Sequence, residues 1–365
     1  MNFNLVVLPG DGVGPEVVDE AVKVLKTVGK RFKHNFNLNN RLVGGAAIDT
    51  EGVAVSQETL QLCKKADAVL LGAVGGPKWD DPLARVRPED GLLELRKSLE
   101  LFANLRPVKV FPMLVDSTNL KPEVIKGVDF IFVRELTGGL YFGQPKKRWQ
   151  TDEGQRMAVD SMLYSDKEIE RIVRVGFELA KRRQKKLISV DKANVLESSR
   201  LWRQVAIEVA RDYTDVTLEH MLVDACSMRI IQNPKYLDVL VTENTFGDIL
   251  TDEASMLAGS MGMLPSASLA GVPQSGVKIY GLYEPIHGSA PRHTGLNDVN
   301  PIATILSAAM MLRYSLALEK EAKAVEKAVE DVLNEGYRTY DIMSEGKTRV
   351  GTREMGDIIA GKVGG

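Results

Sequence analysis

Asp248 and Asp252 stand four residues apart, just after a short β-branched run, Leu237-Asp238-Val239-Leu240-Val241, that reads as a buried strand. Leu250, Ala254, Leu257 and Ala258 then recur at helical spacing. A strand turning directly into a helix therefore presents both carboxylates on one helix face near its start. Two bare carboxylates a few ångströms apart repel by roughly 4 kcal/mol at an effective dielectric of about 20, so a cation is expected between them. An isolated Asp-x-x-x-Asp is more often a solvated acidic first turn favoured by the helix dipole.

Three arginines and a tyrosine form a second set. Arg96 falls on a helix expected from about Leu92 to Leu101. Arg106, Arg134 and Tyr141 fall in or beside strand-like segments at Leu105 to Phe111, Phe130 to Glu135 and Leu140 to Phe142. Singly, each arginine reads as a solvated surface residue; together they could clamp a dicarboxylate through bidentate hydrogen bonds. Ala68 to Gly76 reads as a strand ending in Gly75 and Gly76, an end that lets backbone approach a flat ligand closely.

The remaining chain must position these groups. Leu5 to Leu8 reads as a strand and Val17 to Val28 as an amphipathic helix, joined by Pro9-Gly10-Asp11-Gly12-Val13-Gly14-Pro15-Glu16. That run lacks the full G-x-G-x-x-G spacing and the acidic residue that should follow, so a turn needing glycine is the better reading than a Rossmann fingerprint. Gly143 to Met157 is polar and charged, and reads as an exposed excursion that could pair with another subunit. Helices are expected over Asp166 to Arg183, Leu196 to Arg211, Pro301 to Leu318, Lys320 to Glu335 and Thr352 to Val363. Strands are expected over Leu187 to Val190, Val216 to Leu222 and Lys278 to Leu282. Gly259 to Gly276, rich in Gly, Ser, Pro and Met, reads as a crossover. Alternating strands and helices give an α/β class.

At 365 residues the chain is long for one core, and two domains are expected. A net charge of −2 offers no basic face for nucleic acid. Two cysteines without ligand spacing suit a reducing compartment, and a cytoplasmic location is expected. Met1-Asn2-Phe3-Asn4 carries no basic n-region, so no signal peptide is expected. The apolar stretch Ile302 to Leu312 is too short to span a bilayer, so no membrane partner is expected.

Five ordered motifs then point to a family. They are Gly10 to Glu16, Leu101-Phe102-Ala103-Asn104-Leu105-Arg106-Pro107, Val133 to Gly143, Val190-Asp191-Lys192-Ala193-Asn194-Val195-Leu196 and Phe246 to Glu253. Together they resemble the β-decarboxylating isocitrate/isopropylmalate dehydrogenase family over essentially the whole chain. The resemblance implies a two-lobed α/β fold that is not a Rossmann fold. One lobe would comprise 1–101 and 259–365 and hold the cofactor; the other would comprise 102–258 and hold metal and substrate. A dimer-forming arm is implied at about 134–164. It also implies a homodimer whose active sites borrow Lys192 and Asp224 from the neighbouring subunit.

The same resemblance implies roles. Asp248, Asp252 and the partner subunit's Asp224 would hold Mg²⁺ or Mn²⁺, which suit hard oxygen ligands. Arg96, Arg106 and Arg134 fit the family's carboxylate clamp, Lys192 its general base and Tyr141 the acid that protonates the enol. Without the motifs, Lys192 would read as a solvated lysine and Tyr141 as a packing residue. The implied substrate is a 2-hydroxy acid with a second carboxylate at C3, oxidised at C2 and then decarboxylated. Specificity is expected in Glu89, Leu92 and Leu93. The leucines offer an apolar surface to a C3 isopropyl group, whose three carbons at about 0.8 kcal/mol each are worth some fiftyfold. Ordinary core packing is the plainer role for the leucines. Glu89 would repel a third carboxylate.

The implied cofactor is NAD or NADP, held by Gly75, Gly76, Glu89 and the loop His287-Gly288-Ser289-Ala290-Pro291. In the family an Asp that accepts the ribose hydroxyls of NAD usually follows that loop. Here the position is Arg292, followed by His293, Asn300 and later Tyr340. This is similar to the NADP-type members, because arginine binds phosphate and cannot accept a hydrogen bond. The family norm favours NAD and these residues favour NADP. A broader β-decarboxylating dehydrogenase (tartrate, alkylmalate or isocitrate) and a non-catalytic regulatory subunit of the same fold are the alternatives.

Overall fold

A computed structural model describes residues 1–274 and 276–365; Ser275, within the expected crossover, lies outside the described residues. Ten strands form one mixed sheet in the order β2-β1-β3-β12-β11-β4-β5-β10-β8-β9. They are β1 (Asn2–Gly10), β2 (Asn35–Asn40), β3 (Ala68–Ala73), β4 (Ala103–Lys109), β5 (Asp129–Glu135), β8 (Lys186–Asp191), β9 (Thr217–Leu222), β10 (Val239–Thr242), β11 (Pro265–Leu269) and β12 (Gly281–Pro285); β6 and β7 form a separate hairpin, Lys147–Gln150 with Arg156–Val159. Either end of the sheet is parallel, while in the middle β12 with β11, β11 with β4 and β4 with β5 pair antiparallel. The half from β2 to β11 comes from residues before 101 and after 259; the half from β4 to β9 comes from between them.

Helices α1 (Gly14–Phe32), α2 (Gly45–Glu51), α3 (Gln57–Lys65), α4 (Pro88–Ser98), α5 (Pro122–Ile125), α6 (Asp166–Ala180), α7 (Glu197–Ala210), α8 (Val223–Gln232), α9 (Asn244–Ser255), α10 (Ile302–Tyr314), α11 (Glu319–Asn334) and α12 (Thr352–Gly364) complete the chain. Covered parallel strands read as unbroken apolar runs, and every residue of β3 is buried. Helix α10 is apolar all round for the same reason: Ile302 through Leu312 are all buried. Among the described residues no helix is long and apolar enough to cross a membrane.

The glycine-rich turn is a packing device. Gly10 has φ +74°, and a Cβ there would stand 1.9 Å from the Ala73 carbonyl; at Gly12, with φ +59°, it would stand 2.1 Å from the Ser289 carbonyl. Asp11 between them is buried and accepts backbone N–H bonds from Gly45, Ala46 and Gly75, each at 2.8 Å. One carboxylate thus ties the first turn to α2 and to the end of β3. Asp11→Ala would leave three backbone donors, two of them buried, without an acceptor and is expected to cost about 3 kcal/mol of stability. A urea unfolding midpoint reads this directly; an unchanged midpoint would mean the loops hold without it.

Three expectations need correction. Leu140 to Phe142 is not strand-like: Gly139–Tyr141 is a 3₁₀ turn, closed by Gly143 N–H bonding the Gly139 carbonyl at 2.8 Å. The stretch 259–276 is not simply a crossover, because it contains the central strand β11. Pro265 is tolerated as its first residue, and Ser266 and Ser268 face Asn104. The strand expected at Lys278 to Leu282 begins at Gly281, since Ile279 N–H bonds the Tyr314 carbonyl at 2.9 Å instead of joining a ladder. The expected excursion at 143–157 is the exposed β6–β7 hairpin.

Candidate active site

The site grows out of the polar face at the middle of the sheet. Side chains alternate along a strand, so Asn104 and Arg106 of β4 share one face while Leu105 and Pro107 take the other. Arg134 of β5 lies opposite Asn104 in the ladder and joins that polar face. Asn104 donates to Ser266 Oγ at 2.7 Å, and its Oδ1 accepts Arg106 Nε at 2.9 Å.

Helix α9 points into this face because its start is pinned. The Glu243 carboxylate accepts the N–H groups of Thr245 at 2.9 Å and Phe246 at 2.5 Å, capping two otherwise unpaired donors. The next residue, Asn244, accepts both Arg134 Nε at 3.0 Å and Nη2 at 2.8 Å on its Oδ1. Asp248 is the fifth helical residue, and the first turn holds no acid. A dipole-favoured acidic first turn therefore does not account for it.

Asp248 is the hub. Its Oδ1 pairs with Arg134 Nη1 and lies 3.6 Å from Arg106 Nη2; its Oδ2 accepts the Tyr141 hydroxyl at 2.8 Å. Asp252 lies 3.5 Å from Arg106 Nη1, and Thr251 Oγ1 accepts that same nitrogen at 2.5 Å. Burial opposes ionisation of Asp248, but Arg134 and Arg106 outweigh it and hold its carboxyl below the usual range. Burial, with Asp248 close by, pushes the Asp252 carboxyl up. Burial, with Arg106 adjacent, pulls the Arg134 guanidinium down to about 10, so it stays charged at neutral pH. Burial and the Asp248 carboxylate push the Tyr141 phenol up to about 12, so it keeps its proton.

A cleft of about 400 Å³ collects Arg96, Arg106, Arg134, Tyr141 and Asp248 with Glu89, Leu92, Leu93, His287 and Gly288. Leu92 and Leu93 are both half-buried and both reach the cleft, although neighbours on one helix cannot face the same way. Leu92 also packs on the core under α4. Arg96 donates to Glu284 Oε1 at 3.0 Å, a carboxylate in the cleft wall.

Lys192 and Asp224 lie elsewhere. They pair with each other at 2.6 Å, and neither lines this cleft. The Lys192 hydrogen bond holds the exposed Asp224 carboxyl below its usual range. Among the described residues of one chain no three His, Cys, Asp or Glu side chains cluster around a possible metal position. Asp248 and Asp252 offer two hard oxygen donors four residues apart, the donor type that suits Mg²⁺ or Mn²⁺.

The second cluster adjoins the glycine turn. Val13 N–H bonds the Ser289 carbonyl at 2.9 Å, so the loop 287–291 rests on the start of α1. His287 Nε2 is buried without a partner, an orphaned atom that suits a bound polar ligand. His293 and Tyr340 stack with ring centroids 5.1 Å apart, and His293 Nδ1 lies 3.1 Å from Asp298. Arg292 is exposed beside them, as is Gly288. Ala290 takes a left-handed turn ahead of Pro291. Asn300 does not open onto the loop surface: it is buried, donates to Asp341 at 3.1 Å and accepts Ile302 N–H at 3.0 Å. Gly75 is tied to Asp11, and Gly76 follows it.

Sequence reasoning missed Asn104, Asn244, Thr251 and Glu284. Asn104 shares strand parity with Arg106, and Thr251 is one helical step from Asp248, so period-2 and period-3.6 spacing could have flagged both. Asn244 and Glu284 carried no local signal.

A family model described as isocitrate/isopropylmalate dehydrogenase matches residues 4–359. The chain is 66% identical over 365 residues to a 3-isopropylmalate dehydrogenase of Dehalococcoides mccartyi, covering 100% of both chains. It is 57% identical over 362 residues to a 3-isopropylmalate dehydrogenase of Carboxydothermus hydrogenoformans, covering 99% of this chain and 95% of the other. Among solved structures, an isocitrate dehydrogenase from Methylococcus capsulatus superposes with a TM-score of 0.86 at 31% identity, covering 100% of each chain.

Proposed function

Since the chain belongs to the isocitrate/isopropylmalate dehydrogenase family, we propose that it oxidises and decarboxylates 3-isopropylmalate, forming 4-methyl-2-oxopentanoate in leucine biosynthesis. It is a metal-dependent oxidoreductase linked to a nicotinamide cofactor. The observation that carries the reading is one cleft that holds three arginines and Asp248 together with two leucines. Arginine forks suit two carboxylates, and the leucines suit the isopropyl group.

When bound, the nicotinamide accepts the hydride from C2 and the divalent cation acts as Lewis acid toward the substrate. Asp248 and Asp252 would hold that cation with the partner subunit's Asp224. Arg96, Arg106 and Arg134 bind and orient the two carboxylates. Lys192 from the neighbouring chain takes the hydroxyl proton, and Tyr141 holds the proton that C3 receives once CO₂ has left. Glu89 disfavours a third carboxylate. Gly75, Gly76 and the loop 287–291 would seat the cofactor.

The protein works as a homodimer of two-lobed subunits. Support for the lobes comes from the sheet, whose halves draw on 1–101 with 259–365 and on 102–258. Support for an arm at about 134–164 comes from the β6–β7 hairpin, which leaves Trp149 and Met157 exposed. Apolar side chains on a two-stranded hairpin call for a cover.

Cofactor choice turns toward NADP. Exposed Arg292 beside the stacked His293 and Tyr340 suits a phosphate better than a pair of ribose hydroxyls. Arg292→Asp is expected to move the NADP-to-NAD ratio of kcat/KM at least tenfold toward NAD, the worth of one charge-assisted contact of about 1.4 kcal/mol. A strong NAD preference untouched by the substitution would end the NADP assignment.

The activity itself is tested with racemic 3-isopropylmalate, each cofactor, and Mg²⁺ or Mn²⁺. Turnover that stops on chelation and returns with the metal is expected, and it should exceed turnover of malate, tartrate and isocitrate. Equal rates after thorough chelation, or preference for a substrate without the isopropyl group, would overturn the reading; no turnover at all would favour a non-catalytic subunit.

A further inference from the structure

A second cleft, of about 510 Å³, lies on the face of the sheet opposite the substrate cleft. Adjacent residues of β4 line the two: Arg106 the first, Pro107 and Lys109 the second. Its floor is apolar, built from Ile131 of β5, Met263 and Leu264 just before β11, Pro265 at the start of β11, and Leu306 and Met310 of α10. Its rim is rich in cations from both halves of the sheet.

Those cations differ in how they are engaged. Arg313 is paired with Glu319 and Glu326, Arg183 with Asp129 and Asp238, Lys323 with Glu319, and Lys327 with Asp331. Lys109 has no carboxylate partner among the described residues; its ammonium lies 5.5 Å from the centre of the Phe111 ring. Glu330, on the α11 side of the rim, also lacks a cationic partner among the described residues, so an anionic head group belongs at the β4 side. An apolar floor with one cation at its edge that no carboxylate neutralises suits a ligand with an aliphatic body and a single carboxylate.

We propose that this cleft is a second binding site, for an aliphatic carboxylate, and that its occupancy is coupled to the substrate cleft. The coupling follows from the walls. Pro107, Lys109 and Ile131 belong to 102–258, while Met263, Leu306 and Met310 belong to 259–365. A ligand touching both walls fixes their separation across the middle of the sheet. The same strands carry Arg106 and Arg134 on the other face, so the separation of the substrate cleft's walls changes with it.

Calorimetric titration with octanoate, octylamine and octanol tests the site on the full-length protein. Octanoate is expected to bind in a one-to-one ratio per chain and the other two at least tenfold more weakly. Lys109→Glu should reverse the order of octanoate and octylamine, and Met310→Trp should abolish octanoate binding by filling the floor. Circular dichroism and the unfolding midpoint establish that both variants are folded. No octanoate binding, equal binding of all three probes, or binding that survives both substitutions would overturn the site. Survival of both together with loss in Arg106→Gln would place octanoate among the substrate-cleft arginines, which also overturns it. In turnover assays octanoate should shift the KM for 3-isopropylmalate threefold or more in wild type and leave Met310→Trp unchanged. An unshifted KM overturns the coupling. This last readout rests on the proposed activity; absence of turnover without octanoate counts against that activity alone, and calorimetry still decides the site.

Discussion

Mixing a Lys192→Ala protein with an Asp248→Asn protein, each nearly inactive alone, is expected to restore about a quarter of wild-type activity in a twofold-symmetric dimer. The reason lies in where the two groups sit. Asp248 is the hub of the arginine cleft, while Lys192 is absent from that cleft and pairs with Asp224 at 2.6 Å. If each site takes its cleft from one chain and its lysine from the other, a hybrid dimer has one complete site and one doubly defective site. Random exchange makes about half of all dimers hybrids, and each hybrid carries one of two possible sites. On the proposed roles, Lys192→Ala alone loses the proton acceptor and Asp248→Asn alone a metal ligand, and each should lower kcat/KM by about 10³-fold or more. Subunit exchange is verified by native mass spectrometry of a size-tagged mixture. Mixed activity equal to the mean of the parents, with hybrids present, would place the whole site within one chain and defeat the shared-site reading.

Asp248→Asn must be folded for that comparison to count, and the structure says what it costs. The carboxylate faces Arg134, which is 1% exposed, and Arg106, which is 8% exposed. Asparagine leaves two buried guanidinium groups near each other without their shared counter-ion. Because Asp248 itself keeps 36% of its side chain exposed, water screens part of the loss. The expected cost is about 2–3 kcal/mol, below that of breaking a fully buried pair. A domain of this size tolerates that.

The local elements of the site were legible because local rules produce them. A β-branched run followed by helical periodicity gave the strand and helix that carry Asp248 and Asp252, and the observed α9 spans Asn244–Ser255. The glycine turn was read correctly as packing rather than as a dinucleotide fingerprint, although Asp11, which ties three loops together, passed unnoticed. Strand β11 was misread because its alternation, Pro265-Ser266-Ala267-Ser268-Leu269, spans only five residues without a β-branched or aromatic side chain and sits inside a stretch rich in Gly, Ser, Pro and Met. The polar face at Ser266, Asn104, Arg106 and Arg134 assembles three strands distant in sequence, so no window of the chain contains its pattern. Asn244 was missed for a related reason. Its function, holding Arg134 through two bonds to Oδ1, exists only when β5 and α9 meet. The resemblance implies which charged groups meet substrate, and only the fold shows the amides and hydroxyls that hold those groups in place.

Tyr141→Phe should lower kcat by about 10²–10⁴-fold, the range of a lost general acid, while changing the substrate KM less than threefold. The phenol donates to Asp248 Oδ2 at 2.8 Å, and it lies in the cleft with the three arginines. Burial, reinforced by that carboxylate, pushes it up to about 12, so at neutral pH it keeps its proton and has one to give. Phenylalanine keeps the ring, and the arginines proposed to bind the carboxylates remain, which is why KM should hold. The chemistry to follow is at C3, where a proton replaces the departing CO₂. In deuterated water wild type should deliver deuterium to one face of C3, whereas Tyr141→Phe should give a mixture at the two prochiral positions, because the enol would leave the cleft and take its proton from solvent. Nuclear magnetic resonance of the product distinguishes these outcomes. Unchanged stereochemistry with a merely slower rate would assign the proton to another group and leave Tyr141 a partner that positions Asp248.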